Sequence, residues 1–255
     1  MRIAEHTFVI TGGASGLGAA TAQHLVTQGA AVVLLDINQQ AVEAEAERLG
    51  KRALGIACDI CVADQVQQGL EVAVKHFGAL HGLINCAGIV GAQRILGRKG
   101  PHDLDDFTRV LHINVVGSFN MLRLTAQVMA ENTPNAQGER GVIINTASVA
   151  AYDGQLGQAA YAASKGAIVS LTLPAARELA GHGIRVMTIA PGIFETPMMA
   201  GMSDEVRASL SAAVPFPPRL GKPEEYAALA QHIIENSMLN GEVIRLDGAL
   251  RMGIK

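Results

Sequence analysis

The chain predicts a doubly wound α/β fold: one parallel sheet of about seven strands, with helices on both faces. Three observations carry that expectation. Short apolar runs alternate with longer amphipathic stretches along the whole chain. A glycine-rich turn joins the first apolar run to the first amphipathic stretch. Little linker separates one segment from the next, so 1–255 reads as a single domain. Such α/β domains run to roughly 250 residues without splitting.

The first strand is expected at Thr7–Thr11, and the first helix near Leu17–Gln28, stopped by Gly29. A second strand, Ala31–Leu35, leads to a helix at Gln39–Leu49 with Gly50 as its stop. A third pair follows at Ala53–Ala57 and Val62–Phe77. The fourth strand, Gly82–Cys86, precedes an irregular insertion at Gly91–His102 and a long helix near Asp105–Asn132. The remaining strands are expected at Val142–Thr146, Ile184–Ile189 and Glu242–Leu246, with helices near Ala159–Ala180 and Pro223–Asn236. Pro174 falls inside the fifth helix, where its missing N–H and its ring predict a kink or break. A second irregular insertion, about 192–221, reads as a lid over the substrate.

Composition narrows the function. Hydrophobic residues make up 49% of the chain and charged ones 17%, which means a large core and little disorder. The net charge of −3 supplies no global field for nucleic acid. No apolar stretch reaches the roughly 18 residues of a membrane span without polar breaks. The first strand starts so early that no room for a signal or transit peptide is expected before it. Three cysteines cannot make a disulfide framework, which suits a reducing cytoplasm. Cys58 and Cys61 have CxxC spacing, but no helix-start redox context and no second ligand pair accompany them. They read as packing residues, and no metal is expected.

The turn Thr11-Gly12-Gly13-Ala14-Ser15-Gly16-Leu17-Gly18 lies between strand and helix. Glycines there let backbone amides approach a pyrophosphate at a helix N-terminus, the Rossmann-like arrangement. Asp36 closes the second strand, where a carboxylate binds adenosine ribose hydroxyls and repels a ribose phosphate. No Lys or Arg lies in the turn or between Val32 and Gln40 to pair such a phosphate. NAD is therefore expected rather than NADP.

Tyr161 and Lys165 are four residues apart, one turn of helix, and share a face. A free tyrosine ionises near pKa ~10, too high for a base at neutral pH. A lysine cation one turn away is expected to lower that value, which suits proton exchange with an alcohol or carbonyl oxygen. Ser148, upstream, is expected to hold the same oxygen.

The glycine motif, Ser148, the Tyr161–Lys165 pair and the order of elements resemble the short-chain dehydrogenase/reductase family over essentially the whole chain. The family's TGxxxGxG is met by Thr11, Gly12, Gly16 and Gly18, with Ser15 and Leu17 between them. The resemblance implies adenine contact at Asp59 and its neighbour Ile60. The family's NNAG appears as Asn85-Cys86-Ala87-Gly88, so its second asparagine has become Cys86. The helix asparagine corresponds to Asn114, implied to order a water on the proton path. Pro191-Gly192, Ile193 and Thr196 match the stretch that holds the carboxamide. Lys165 is implied to bond the nicotinamide ribose as well.

A narrower resemblance, to the type II 3-hydroxyacyl-CoA dehydrogenases, rests on Gly141–Ala151, Val214–Gly221 and Asn240–Met252. The subgroup's insertion after the fourth strand matches the region around Arg94–His102. It implies a short or branched acyl-CoA substrate, and relatives form homotetramers through long helices and the last strand. Arg94, Arg98, Lys99 and His102 could meet CoA phosphates or be a solvated loop. Met198, Met199 and Met202, with Phe194, could cover an acyl chain or simply pack. Gln155 and Gln158 are candidates for a substrate carbonyl, and His112 reads as an ordinary helix histidine. Two other readings stay open: a steroid or secondary-alcohol dehydrogenase, and a non-catalytic cofactor-binding scaffold. The intact Asn114, Ser148, Tyr161 and Lys165 argue against the scaffold.

Overall fold

Seven strands form one parallel sheet, in the order Ala53–Ala57, Ala31–Asp36, Thr7–Thr11, Gly82–Asn85, Gly141–Thr146, Ile184–Pro191 and Val243–Leu246. The computed structural model describes residues 1–98, 100–199 and 203–254, with the side chains of Met198 and Asp204 excepted. The strands are β1 Thr7–Thr11, β2 Ala31–Asp36, β3 Ala53–Ala57, β4 Gly82–Asn85, β7 Gly141–Thr146, β8 Ile184–Pro191 and β9 Val243–Leu246. The flanking helices are α1 Gly16–Thr27, α2 Gln39–Leu49, α3 Ala63–Phe77, α4 Leu104–Leu111, α5 Ser118–Ala130, α6 Ala159–Ala180 and α8 Pro223–Glu235. This is the single-domain, Rossmann-like α/β architecture expected.

Two-residue alternation along the central strands divides the core into two layers. Phe8 and Ile10 of β1, with Val32 and Leu34 of β2, pack on one face against α1 and α8. Val9, Val33 and Leu35 point the other way, against α3, α5 and α6. A strand buried on both faces is largely apolar, which is why the middles of β1, β2 and β4 read as near-continuous apolar runs.

Four local expectations need correction. The long helix expected over Asp105–Asn132 is interrupted by a π-helix at His112–Gly117 between α4 and α5. The interruption coincides with two close constraints. A side chain at Gly117 would meet Ile60 at 2.7 Å, and the Asn114 amide is drawn onto the Ile89 backbone. Pro174 does not break α6, which runs through it. The neighbouring Thr172 is locked by hydrogen bonds to the Ile168 carbonyl at 2.9 Å and to Thr188 Oγ1 at 2.6 Å. Ala175 and Ala176 are buried just beyond, so packing holds the helix where proline removes one bond.

Neither insertion is wholly irregular. The first carries a small antiparallel hairpin, β5 Leu96–Gly97 with β6 Gly100–Pro101. The second carries α7 Asp204–Ala212, capped by the Ser203 hydroxyl accepting from the Val206 N–H at 3.4 Å. Ser203-Asp204-Glu205 was a legible helix start. The two ends of this segment are zipped together: Glu195 N–H donates to the Gly221 carbonyl at 2.8 Å, and Gly221 N–H to the Ile193 carbonyl at 2.9 Å.

At the opposite end of the sheet from the glycine turn, Arg185 on β8 is buried. Its guanidinium bonds Glu139 at 2.7 Å and the carbonyls of Ile233, Ile234 and Leu239, at and just beyond the end of α8. These are carbonyls that a helix end cannot satisfy internally. Arg185 thereby sets where α8 stops against the sheet. Glu139→Leu leaves that guanidinium buried beside an apolar group. It should lower unfolding free energy by about 3 kcal/mol, measured by urea denaturation, the size expected for breaking a buried pair.

Candidate functional site

The chain order reverses at β1, which has β2 on one side and β4 on the other. Crossovers diverge there and leave a crevice at the carboxyl ends of the strands, the switch point of such sheets. A cleft of about 740 Å³ occupies it, within the usual range for ligand sites.

The glycine turn forms one wall. Gly12 and Gly16 have φ of +63° and +55°, a conformation that other residues adopt only with strain. A Cβ at Gly18 would overlap the Gly12 carbonyl, so the turn closes only without side chains. Thr11 ties the turn to β4: its Oγ1 accepts the N–H groups of Cys86 and Ala87, both at 3.1 Å. Asp36 stands at the end of β2, where Oδ2 accepts the Ala14 N–H at 3.3 Å and Oδ1 the Asn38 N–H at 3.1 Å. Its carboxylate is thus fixed beside the turn. Asp59 accepts the Cys61 N–H at 2.9 Å, and Ile60 is buried against the cleft. The residues fit a dinucleotide: a glycine cradle, a helix N-terminus and a ribose-side carboxylate share one wall.

Ser148 follows β7 and caps a short 3₁₀ turn, its Oγ accepting the Ala150 N–H at 3.1 Å. Tyr161 and Lys165 lie in the first turns of α6. All three border the same cleft as the glycine turn. Lys165 is buried and donates from Nζ to the Thr146 carbonyl at 2.8 Å. Its Nζ lies 5.7 Å from the Tyr161 ring centroid.

The electrostatics differ from the sequence reading. Burial holds the Tyr161 phenol above its ordinary value, and the neighbouring Ser148 hydroxyl pulls the other way. The Lys165 ammonium is hydrogen-bonded to the Thr146 carbonyl and not to the phenol. Burial pushes Lys165 itself down to about 8.

The cleft brings together every expected cofactor contact except Asn85. Asn85 is buried within the sheet, where Nδ2 donates to Asn145 Oδ1 at 3.0 Å and to the Ser118 carbonyl at 3.3 Å. Asn114 is also behind the wall. Its Oδ1 accepts the Ile89 N–H at 2.8 Å, while Nδ2 donates to the Ile89 carbonyl at 2.9 Å and Ser164 Oγ at 3.0 Å. The side chain expected to order a water is engaged as a clamp between the loop after β4 and α6. A Cβ at Gly88 would lie 3.0 Å from Asn114 Oδ1, so this clamp also seats the cleft floor.

Gln158 borders the cleft, but Gln155 is turned away to the Gly253 carbonyl at 3.2 Å. The carboxyl-terminal segment is the wall that sequence reading missed: Met252 lines the cleft, and the Leu156 N–H donates to the Ile254 carbonyl at 3.0 Å. Arg109, His112 and Thr146 also border it. Position in sequence carried no signal for any of these, since each arrives from a different element. Met199 lines the cleft, Phe194 is buried at its root, and Met202 lies outside the described residues.

The basic insertion is divided. Arg94 and Arg98 border a separate surface depression, and Lys99 lies outside the described residues. Both His102 ring nitrogens are buried, with Nε2 3.9 Å from Asp106 Oδ2. Cys58 and Cys61 are pushed up to about 11, by burial first and then by Asp59, so neither is a ready thiolate. No metal-binding cluster occurs among the described residues.

The short chain dehydrogenase profile matches residues 6–207. The chain belongs to the short-chain dehydrogenase family. Within it, a 3-hydroxyacyl-CoA dehydrogenase type-2 from Bos taurus is 56% identical over 246 residues, 96% of this chain and 94% of that one. A crystal structure of 3-hydroxyacyl-CoA dehydrogenase type-2 from Mycobacterium avium superposes with a TM-score of 0.94. It is 42% identical and covers 98% of this chain and 97% of its own. A 3-ketoacyl-(acyl-carrier-protein) reductase from Brucella melitensis, complexed with NADH, has a TM-score of 0.88. It is 30% identical, covering 98% of this chain and 100% of its own.

Proposed function

We propose that this short-chain dehydrogenase is an NAD-dependent oxidoreductase that interconverts 3-hydroxyacyl-CoA and 3-ketoacyl-CoA of short or branched chain. One observation carries the reading: Ser148, Tyr161 and Lys165 border the same cleft as the glycine cradle and Asp36. The relatives named for 3-hydroxyacyl-CoA and the NADH-bound neighbour support the substrate and cofactor.

The cradle from Gly12 to Gly18 would hold the pyrophosphate, Asp36 the adenosine ribose, Asp59 and Ile60 the adenine. Ala87 and Gly88 would let the nicotinamide half approach, with Pro191, Gly192, Ile193 and Thr196 opposite. NAD, when bound, supplies the hydride acceptor, and NADH the donor. Ser148 holds the substrate oxygen. In oxidation, Tyr161 takes the hydroxyl proton as hydride leaves the carbinol carbon; in reduction it returns that proton to the new alkoxide oxygen. Lys165 holds the cofactor ribose beside them. Asn85 and Asn114 act by position. Gln158, Met199 and Met252 shape the substrate end. Arg94 and Arg98 are the candidate contacts for CoA phosphates, an attraction that salt would weaken.

We place the enzyme in a reducing compartment, the cytoplasm, because its three thiols are free; no helix among the described residues is long and apolar enough to cross a membrane. It assembles as a homotetramer, as exposed Val116, Phe119 and Leu173 on the long helices suggest.

Acetoacetyl-CoA should be reduced with NADH, and kcat/KM with NADPH should be roughly tenfold or more lower, the ratio that 1.4 kcal/mol of repulsion at Asp36 gives. Turnover of steroid or simple ketones alone would replace the acyl-CoA reading.

Tyr161→Phe should retain NADH binding and lose roughly 10²–10⁴-fold in kcat, the size of a general acid–base contribution. Because burial raises the phenol above its ordinary value, oxidation should speed up as pH rises, and reduction should be favoured on the acid side. A pH profile in both directions measures this.

Light scattering at micromolar concentration should give four times the chain mass, and Phe119→Asp should yield smaller species.

A further inference from the structure

Lys165 depends on a carbonyl, and the side chain of that same residue is held by a group outside the cleft. Thr146 closes β7; its carbonyl accepts Lys165 Nζ, and its hydroxyl lies 2.7 Å from the hydroxyl of Tyr226 on α8. Thr146 Oγ1 also reaches Cys86 Sγ at 3.8 Å, and Cys86 Sγ lies 3.7 Å from the Tyr226 hydroxyl. Each of the three side chains has one proton to donate. If Thr146 donates to sulfur and the thiol donates to Tyr226, then Tyr226 must donate to Thr146. The ring closes with every proton used once and no buried donor stranded.

Chemistry supports that direction. Burial raises both Cys86 and Tyr226, so thiol and phenol keep the protons that the ring requires. Tyr226 is fully buried, does not border the cleft, and packs in the core layer with Ile233 and Ile234. Its only polar atom is directed at the two residues behind Lys165. The ring joins three elements that converge there: the end of β4 through Cys86, the end of β7 through Thr146, and α8 through Tyr226.

We propose that Tyr226 is a positioning residue for Lys165: its hydroxyl, through the closed ring with Thr146 and Cys86, fixes the carbonyl that anchors the lysine ammonium. The kinetic consequence rests on the dehydrogenase reading above, but the anchoring itself does not. A loosened carbonyl stabilises the ammonium less, so loss of the ring favours neutral lysine.

Tyr226→Phe removes one oxygen and retains the aromatic packing. Titration of Lys165 in the ligand-free protein, followed by ¹³C NMR of lysine Cε, should move down by roughly one unit, as for a tenfold loss of preference for the charged form. Reduction of acetoacetyl-CoA should then show kcat lower by roughly tenfold with KM within twofold, since the substrate contacts are untouched. Thr146→Val should reproduce the titration shift, and the double variant should show no more than either single one, because all act through one ring. Ile233→Val, a packing change on the same helix, should lower Tm and leave the titration in place. An unmoved titration in Tyr226→Phe overturns the proposal, as do additive shifts in the double variant. If the titration moves but acetoacetyl-CoA is not a substrate, the ring stands and the acyl-CoA reading falls.

Discussion

Every functional group in this protein depends on where parallel strands end. A parallel sheet needs crossover connections, and those on the two sides of β1 leave in opposite directions. The carboxyl ends of β1, β4, β7 and β8 are therefore left around one crevice, free of a covering helix. Thr11 converts that arrangement into a rigid seam. Its single hydroxyl accepts two amides from the loop after β4, so the glycine turn and the Cys86–Gly88 stretch move together. Asn85 repeats the device one residue earlier, joining β4 to β7 and α5.

Behind this seam, polar side chains serve position more than chemistry. Asn114 gives both amide hydrogens and one acceptor bond to Ile89 and Ser164, at a π-helix that gives the chain the wider turn it needs. Arg185 sets the far end of α8, and Tyr226 sets its near end. A buried lysine needs this support. Burial disfavours its charge, and only a well-placed acceptor such as the Thr146 carbonyl offsets that. The tuning of Tyr161 follows the same logic: in the protein alone burial dominates, and the Ser148 hydroxyl offsets only part of it.

Much of the site was legible from local chemistry. Glycines at 12, 16 and 18 are required by backbone conformation and close approach, and such needs are written in residue type. Asp36 at a strand end and the Tyr161–Lys165 spacing on a helix were readable for the same reason. The helix α7 was missed although Ser203 and the acids after it announced a cap. The hairpin Leu96–Pro101 left no such mark, because two-residue strands carry no periodicity.

By itself, then, the sequence determined the fold class, the order of elements, the glycine cradle and the identity of the reacting side chains. These follow from interactions within a few residues, or from patterns that one strand or helix displays alone. Only the tertiary structure decided which side chains face the cleft and which stand behind it. Asn85 and Asn114 went to the wall, Gln155 to the carboxyl-terminal segment, and Met252 came to the cleft from 104 residues after Ser148. It also decided the direction of the Tyr161 and Lys165 shifts and the meeting of Cys86, Thr146 and Tyr226. Desolvation and hydrogen bonding between distant residues depend on what surrounds a group in space, and that is settled only when the layers close.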